Sequence, residues 1–183
     1  MPNTLTTGAP GAAPAERATK ATGCSSRRAR TRQWFDALAI GVLIVVTAIA
    51  ALTFRDYGLG WDDYAHVQYG DLLVSLYRSG FADQRAFSFV NLYMYGGGFD
   101  VLATLAAKVL PFDIYETRRL VGAVVGIAGL LVTWRLGRRL CGHLAGLIAI
   151  VLLATCPLYY GHMFINPKDA PFAAVMAIAR ACF

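Results

Sequence analysis

Two long runs of uncharged, mostly apolar residues dominate the chain, at positions 37–54 and 144–161. At about 1.5 Å per residue, a helix of either length approaches the roughly 30 Å of a bilayer's hydrocarbon core. A shorter run at 120–134 has arginines near both ends, and their long side chains can extend the span into the interface. The pattern predicts an all-α, polytopic transmembrane protein. Its predicted spans lie at about 34–54, 120–136 and 144–160, with an incomplete fourth starting at 170.

Residues 55–119 separate the first two predicted spans and form a long loop. Residues 87–110 are apolar enough to suggest a span, but Asp100, Lys108 and the glycines at 96–98 make a continuous spanning helix unfavourable. We therefore expect a helix that lies in the membrane interface at 101–110, and a second one at 71–78. Loops of this length usually carry function.

Composition and charge support a membrane protein. The chain is 57% hydrophobic and only 15% charged, which is too apolar for an ordinary soluble domain. Most of the net charge of +6 lies in residues 1–33, which have little to bury and are predicted to form a disordered basic tail. Because this tail abuts an apolar span and lacks interleaved aromatics, we interpret it as a cytoplasmic retention signal and not as a nucleic-acid surface.

A second basic cluster, formed by Arg135, Arg138 and Arg139, follows the second predicted span. If this cluster is also cytoplasmic, an even number of crossings separates it from the tail. The loop at 55–119 and the segment at 166–169 then share the outer face. The sequence therefore predicts a multi-pass protein of a bacterial-type inner (plasma) membrane with a cytoplasmic N-terminus.

The long loop opens with an acidic motif, WDDYAH, at residues 61–66. A carboxylate beside a bilayer is costly and marks a candidate functional site. On a helix Asp62 and His66 share one face, so Asp62 is a candidate general base that His66 can orient or join at a metal ion. The structural alternative is that Asp62 caps the start of a helix. Asp63 is the acidic neighbour in the same motif.

A second polar motif, NPKD, follows the third predicted span at residues 166–169. Lys168 can hold a lipid phosphate as a point charge, and Asp169 can complete the site of the first motif. The alternatives are a snorkelling lysine and an aspartate that caps the next helix. Arg118 and Arg119, at the start of the second predicted span, are further phosphate-binding candidates or interfacial anchors.

The cysteines and glycines do not form recognisable cofactor motifs. None of the four cysteines belongs to a C-x-x-C pair, so neither a zinc site nor a disulfide framework is predicted. The glycines at 96–98 have neither the dinucleotide-binding nor the P-loop spacing. Gly122, Gly126 and Gly129 follow one another at helical spacing, which predicts close helix packing.

The order of these features resembles a known group of membrane enzymes. After the acidic loop come RRLVG at 118–122, RLGRR at 135–139 and NPKDAPF at 166–172. Over about residues 34–179 this order resembles the N-terminal part of the glycosyltransferase family 39 and protein-mannosyltransferase-like group. The resemblance implies the GT-C fold and transfer of a hexose or pentose from a polyprenyl-phosphate donor. The acceptor, a protein, lipid or glycan, would be modified at the outer membrane face, usually with inversion at the sugar.

The resemblance also implies roles for three carboxylates. Asp62 matches the first-loop acidic residue that acts as catalytic base or binds the acceptor, and Asp63 matches its neighbour. Asp169 matches the aspartate of the second outer loop, whereas Lys168 has no firm counterpart. Metal dependence varies within the group, so the resemblance leaves a divalent cation undecided.

Members of this group have many more spans, so we expect this chain to be an N-terminal fragment whose activity alone is in question. Two rival interpretations remain. One is an inactive truncated remnant that merely inserts and packs. The other is a fragment of a transporter whose acidic residues bind ions, although such residues would be expected inside spans and here they fall in loops.

Overall fold

The structure is built from helices. The computed structural model describes residues 14–182, and the side chains of residues 30–181. No strand occurs within that range, which confirms the predicted all-α, polytopic class. The helices are α1 (Pro14–Thr53), α2 (Asp63–Arg78), α3 (Gly98–Ala107), α4 (Ile114–Cys141), α5 (His143–Ala154), α6 (Pro157–Ile165) and α7 (Asp169–Cys182), with short 3-10 turns at Arg85–Ser88 and Leu92–Met94.

Two of these helices are long and apolar enough to cross a membrane. They are the Arg30–Thr53 part of α1, with 24 residues, and the whole of α4, with 28 residues. At about 1.5 Å per residue both exceed the roughly 30 Å hydrocarbon core. Helix α4 extends past both ends of the predicted span at 120–136. The predicted tail at 1–33 overlaps the start of α1 and lies partly outside the described residues, so its disorder stays a prediction.

The third predicted span is bent in the structure. Helices α5 and α6 replace one continuous helix, and their axes differ by 62°. Pro157, the first residue of α6, has no N–H with which to continue the hydrogen bonding of α5, and Cys156 before it is extended. The described residues therefore provide two candidate spans, or three when the bent pair is counted as one.

Helix α4 lies at the centre and packs against α1, α3, α5, α6 and α7. Its glycines allow α6 to approach closely, because a Cβ atom at Gly122 would overlap the Met163 carbonyl and one at Gly129 would overlap the Tyr159 hydroxyl. That hydroxyl donates a 2.7 Å hydrogen bond to the carbonyl of Gly126. The structure thus confirms the packing role predicted for the glycine series.

Helices α2 and α3 pack against each other beside the first turns of α4. Gly70 of α2 makes this approach possible, because a Cβ atom there would overlap the Thr104 hydroxyl and lie 3.0 Å from the carbonyl of Asp100. Gly96 turns the chain before α3 with a φ of +81°, a conformation that glycine adopts without strain. With 16 and 10 residues, α2 and α3 are too short to cross a bilayer.

Candidate active site

The two polar motifs predicted from the sequence meet in the structure. Lys168 Nζ lies 3.1 Å from Asp62 Oδ2, across 106 positions of sequence. The Asp62 side chain is half-exposed, at 51%, so solvent and a substrate can reach it. Asp62 precedes α2, but its carboxylate makes no capping hydrogen bond. The carboxylate is therefore committed to Lys168 and not to the helix end.

Asn166 fixes the path of the second motif. Its side-chain oxygen accepts hydrogen bonds from the backbone N–H groups of Lys168 at 3.0 Å and Asp169 at 2.9 Å. Its amide nitrogen donates to Asp169 Oδ2 at 3.0 Å. The ammonium of Lys168 also lies 4.8 Å from the ring centre of Tyr95, within the range of a cation–π interaction. Lys168 and Asp169 are thus held beside Asp62 by local contacts.

Asp63 differs from its neighbour because its side chain is buried. Its Oδ2 accepts a 2.6 Å hydrogen bond from the backbone N–H of Gly60. Gly60 in turn lies against the carbonyl of Ile165, from which an added Cβ atom would be only 2.8 Å away. The Asp63 carboxylate therefore stabilises the turn at residues 60–63, which packs against the end of α6. Its predicted catalytic role stays a prediction.

A cluster of three buried polar residues, which we call the closed cluster, lies next to this site. It consists of His66 on α2, Asp100 on α3 and Arg118 on α4. His66 Nδ1 lies 3.1 and 3.0 Å from the two carboxylate oxygens of Asp100. Arg118 Nη2 donates a short hydrogen bond to Asp100 Oδ1. All three side chains are only 3–4% exposed.

The closed cluster ties three helices together through one carboxylate. Arg118 Nε and Nη1 have no hydrogen-bond partner among the described residues, so Asp100 alone neutralises this guanidinium. The guanidinium also lies 5.5 Å from the ring centre of Phe99. Burial, followed by the negative charge of Asp100, raises the pKa of Tyr69 on the same helix as His66. Because His66 lies one helical turn after Asp62, the cluster also fixes the start of α2.

The structure gives His66, Arg118 and Arg119 contacts that the sequence did not predict. His66 bonds to Asp100 and not to Asp62, because the docking of α3 brings a carboxylate to its face of α2. Arg118 is buried in the closed cluster, and Arg119 donates a 3.3 Å hydrogen bond to the carbonyl of Arg55. Their phosphate-binding role stays a prediction, and both guanidiniums have partners within the chain.

Sequence reasoning missed Asp100 as a site residue, treating it only as an interruption of an apolar run. The signal was present, since a carboxylate within an apolar helix demands a partner. Within the described part of the chain, no group of three His, Cys, Asp or Glu side chains is placed to hold a metal ion. The catalytic roles predicted for Asp62 and Asp169, and the phosphate-binding role predicted for Lys168, stay predictions.

These observations define a polytopic helical membrane protein with a polar site at one end of its bundle. Residues 99–183 match the family described as dolichyl-phosphate-mannose-protein mannosyltransferase. Over these residues the match confirms the predicted resemblance to the glycosyltransferase family 39 and mannosyltransferase-like group. No curated protein and no solved structure matches the chain.

The matched range contains part of the site. Asp100, Arg118, Lys168 and Asp169 lie inside it, whereas Asp62 precedes it. The contact between Lys168 and Asp62 therefore links the matched segment to the motif in the first loop.

Proposed function

We propose that this chain contributes the base and a phosphate-binding cation to a membrane glycosyltransferase that takes its sugar from a polyprenyl-phosphate donor. The observation that carries the proposal is the 3.1 Å contact between Lys168 Nζ and Asp62 Oδ2. It brings a half-exposed carboxylate, suited to act as a general base, beside a cation on a chain whose helices are long enough to span a membrane. Transfer from a lipid phosphate to a hydroxyl needs both groups within reach of one sugar.

In the proposed reaction, Asp62 removes the proton of the acceptor hydroxyl as its oxygen attacks the anomeric carbon. The bond from that carbon to the phosphate oxygen breaks, and polyprenyl phosphate leaves with the electron pair. The negative charge that develops on the phosphate is stabilised by the ammonium of Lys168. A single displacement of this kind inverts the configuration of the sugar.

Asp169 is proposed to support this arrangement from the first turn of α7. Its carboxylate is held by Asn166 and its backbone N–H by the same side chain, so its position is fixed relative to Lys168. An exposed carboxylate there can accept a hydrogen bond from a sugar hydroxyl. Asp169 thus orients the sugar while Asp62 handles the proton.

The test of the base is the substitution Asp62→Asn, which keeps the size of the side chain and removes its basicity. We expect sugar transfer from a polyprenyl-phosphate donor in membranes to fall by about 10²–10⁴-fold, because general-base catalysis contributes that much. Asp71→Asn, an exposed aspartate on the same helix, is the matched control and should leave transfer unchanged. Normal transfer by the Asp62 variant, with normal insertion, would refute the assignment.

We also propose that both motifs lie at the outer membrane face. With the four native cysteines replaced by serine, single cysteines at the exposed positions Trp61 and Phe172 should react with a membrane-impermeant maleimide in intact cells. A cysteine at Leu140, exposed at the far end of α4, should react only after permeabilisation. Labelling of positions 61 and 172 from different sides would contradict the shared site.

A further inference from the structure

The far end of α4 carries a second cluster of charged residues, which we call the open cluster. It consists of Asp36 on α1, Arg138 on α4 and His143 at the start of α5. Asp36 Oδ2 lies 3.3 Å from Arg138 Nη1 and 2.9 Å from His143 Nδ1. Arg138 also lies 5.2 Å from the ring centre of Trp134, which holds its guanidinium in place.

A cleft of about 380 Å³ opens beside this cluster and is lined by Arg135, Arg138, Arg139 and His143. We call it the basic cleft. Asp36 is the only carboxylate that forms an ion pair with any of these four side chains in the described part of the chain. Arg139 donates to the carbonyl of Ala181, and Arg135 is exposed. Of the three guanidiniums only that of Arg138 is paired with a carboxylate, which leaves the cleft positively charged.

An apolar groove of about 560 Å³ lies along two of the three helices that carry the open cluster. It runs between α1 and α5, and its α1 wall extends from Ala37, the residue after Asp36, to Ile49. At 1.5 Å per residue this wall is about 18 Å long, more than half of the roughly 30 Å hydrocarbon core. Leu140 and Leu144, exposed beside Arg139 and His143, add apolar surface where the cleft lies.

We propose that the basic cleft and the apolar groove together bind one anionic membrane phospholipid. Its phosphate would lie among the guanidiniums of Arg135 and Arg139, and one acyl chain would follow the groove along α1. A free phosphate would use only the cleft, whereas the adjoining groove favours an amphiphile. This site lies at the opposite end of α4 from Lys168, and the proposal does not depend on the proposed glycosyl transfer.

The charge of the cleft exceeds what the helix needs. One or two cations in its last turn satisfy the negative end of a helix dipole. Here Arg138 and Arg139 occupy the last turn of α4, and Arg135 lies one turn earlier. Basic residues near an anionic membrane surface contribute about 1 kcal/mol each to lipid binding, so each is worth about fivefold in affinity.

The test is native mass spectrometry of the purified chain in detergent, titrated with phosphatidylglycerol or phosphatidylcholine of identical acyl chains. We expect preferential binding of phosphatidylglycerol, and a loss of about 25-fold in its affinity in the double variant R135Q/R139Q. The control variant R78Q/R85Q removes the same charge from exposed positions at and beyond the end of α2 and should bind normally. Equal loss in both variants, or no loss in either, would overturn the proposal.

Two further variants separate binding from folding. Asp36→Asn removes the negative charge beside the cleft, so it should tighten phosphatidylglycerol binding by up to about fivefold, the opposite of what general disruption would do. Gly41→Leu adds a bulky side chain to the groove at a position where no atom lies within 4 Å of a Cβ, and should weaken lipid binding. Unchanged binding in both, or displacement of the lipid by glycerol phosphate alone at equal concentration, would rule out a lipid site.

Discussion

The closed and open clusters use the same three residue types at opposite ends of α4. Each joins one aspartate to one arginine and one histidine, and the two arginines are 20 positions apart, or about 30 Å along the helix. In the closed cluster the side chains are 3–4% exposed, whereas in the open cluster they are 22–36% exposed. The two clusters contain the same residue types, and they differ in how far water reaches their side chains.

This difference in solvation determines what each cluster can do. In the closed cluster, the charges of Asp100 and Arg118 have lost their water, so each depends on the other for stabilisation. In the open cluster, water and salt screen Asp36 and Arg138, and their pairing contributes little to stability. The closed cluster thus locks helices together, and the open cluster leaves charge available for a ligand.

The largest effect should come from Asp100→Asn in the closed cluster. Removing the carboxylate leaves the Arg118 guanidinium buried without a counter-charge, and we expect a loss of about 3–5 kcal/mol in the free energy of unfolding. Reversible unfolding in mixed detergent, followed by circular dichroism, measures it. A loss below about 1 kcal/mol would mean that water reaches Arg118 and that the two clusters do not differ as proposed.

Replacing the whole closed cluster should restore most of that loss. The triple variant His66→Leu, Asp100→Leu and Arg118→Met has no buried charge, and apolar packing often equals a buried ion pair. We expect it to be about 2–4 kcal/mol more stable than Asp100→Asn in the same unfolding assay. If the triple variant is as unstable as the single one, packing and not desolvated charge controls this region.

A smaller loss should follow from Gly70→Ala, which tests the helix contact that buries the closed cluster. The added methyl would overlap Thr104 of α3 and force α2 outward, at an expected cost of about 1–3 kcal/mol in unfolding free energy. Gly41→Ala on α1 is the matched control, because its Cβ atom meets nothing within 4 Å and should be neutral or slightly stabilising. Equal results for both variants would argue against tight α2–α3 packing.

The smallest effect should come from Asp36→Asn in the open cluster. Its ion pairs are partly exposed, so we expect a loss below about 1 kcal/mol that shrinks further at high salt. Unfolding at low and high salt, compared with Asp100→Asn, measures the contrast. A loss as large as that of Asp100→Asn would place the open cluster in the same energetic class as the closed one.

The helices could be predicted from the apolar runs, but their ends and breaks could not all be placed. Helix α4 begins before the predicted span, where Asp113 caps its first turn, and Arg118, which suggested a boundary, is neutralised inside the bundle by Asp100. The bend before α6 did have a signal, since Pro157 interrupts the apolar run. The length of the apolar run at 144–161 predicted a single span, whereas Pro157 divides it into α5 and α6.

The site could be predicted only where sequence order was sufficient. Two polar segments expected on one face do meet, at Asp62 and Lys168. The closed cluster was not predictable, because it requires α3 to dock between α2 and α4, and the glycine contact that sets this docking is visible only in three dimensions. The sequence therefore suggested Asp62 as the partner of His66, because it is nearer along the chain. The actual partner, Asp100, lies 34 positions away.

The 62° elbow at Pro157 determines where the chain after α6 can arrive. A straight continuation of α5 would carry its nine residues about 13 Å farther along the same line. With the bend, α6 advances only about 6 Å along that line and reaches about 12 Å sideways, which lays α6 over the glycines of α4. Pro157 thus helps to position Lys168 beside Asp62. A substitution that straightened this bend would separate the two side chains without changing either residue.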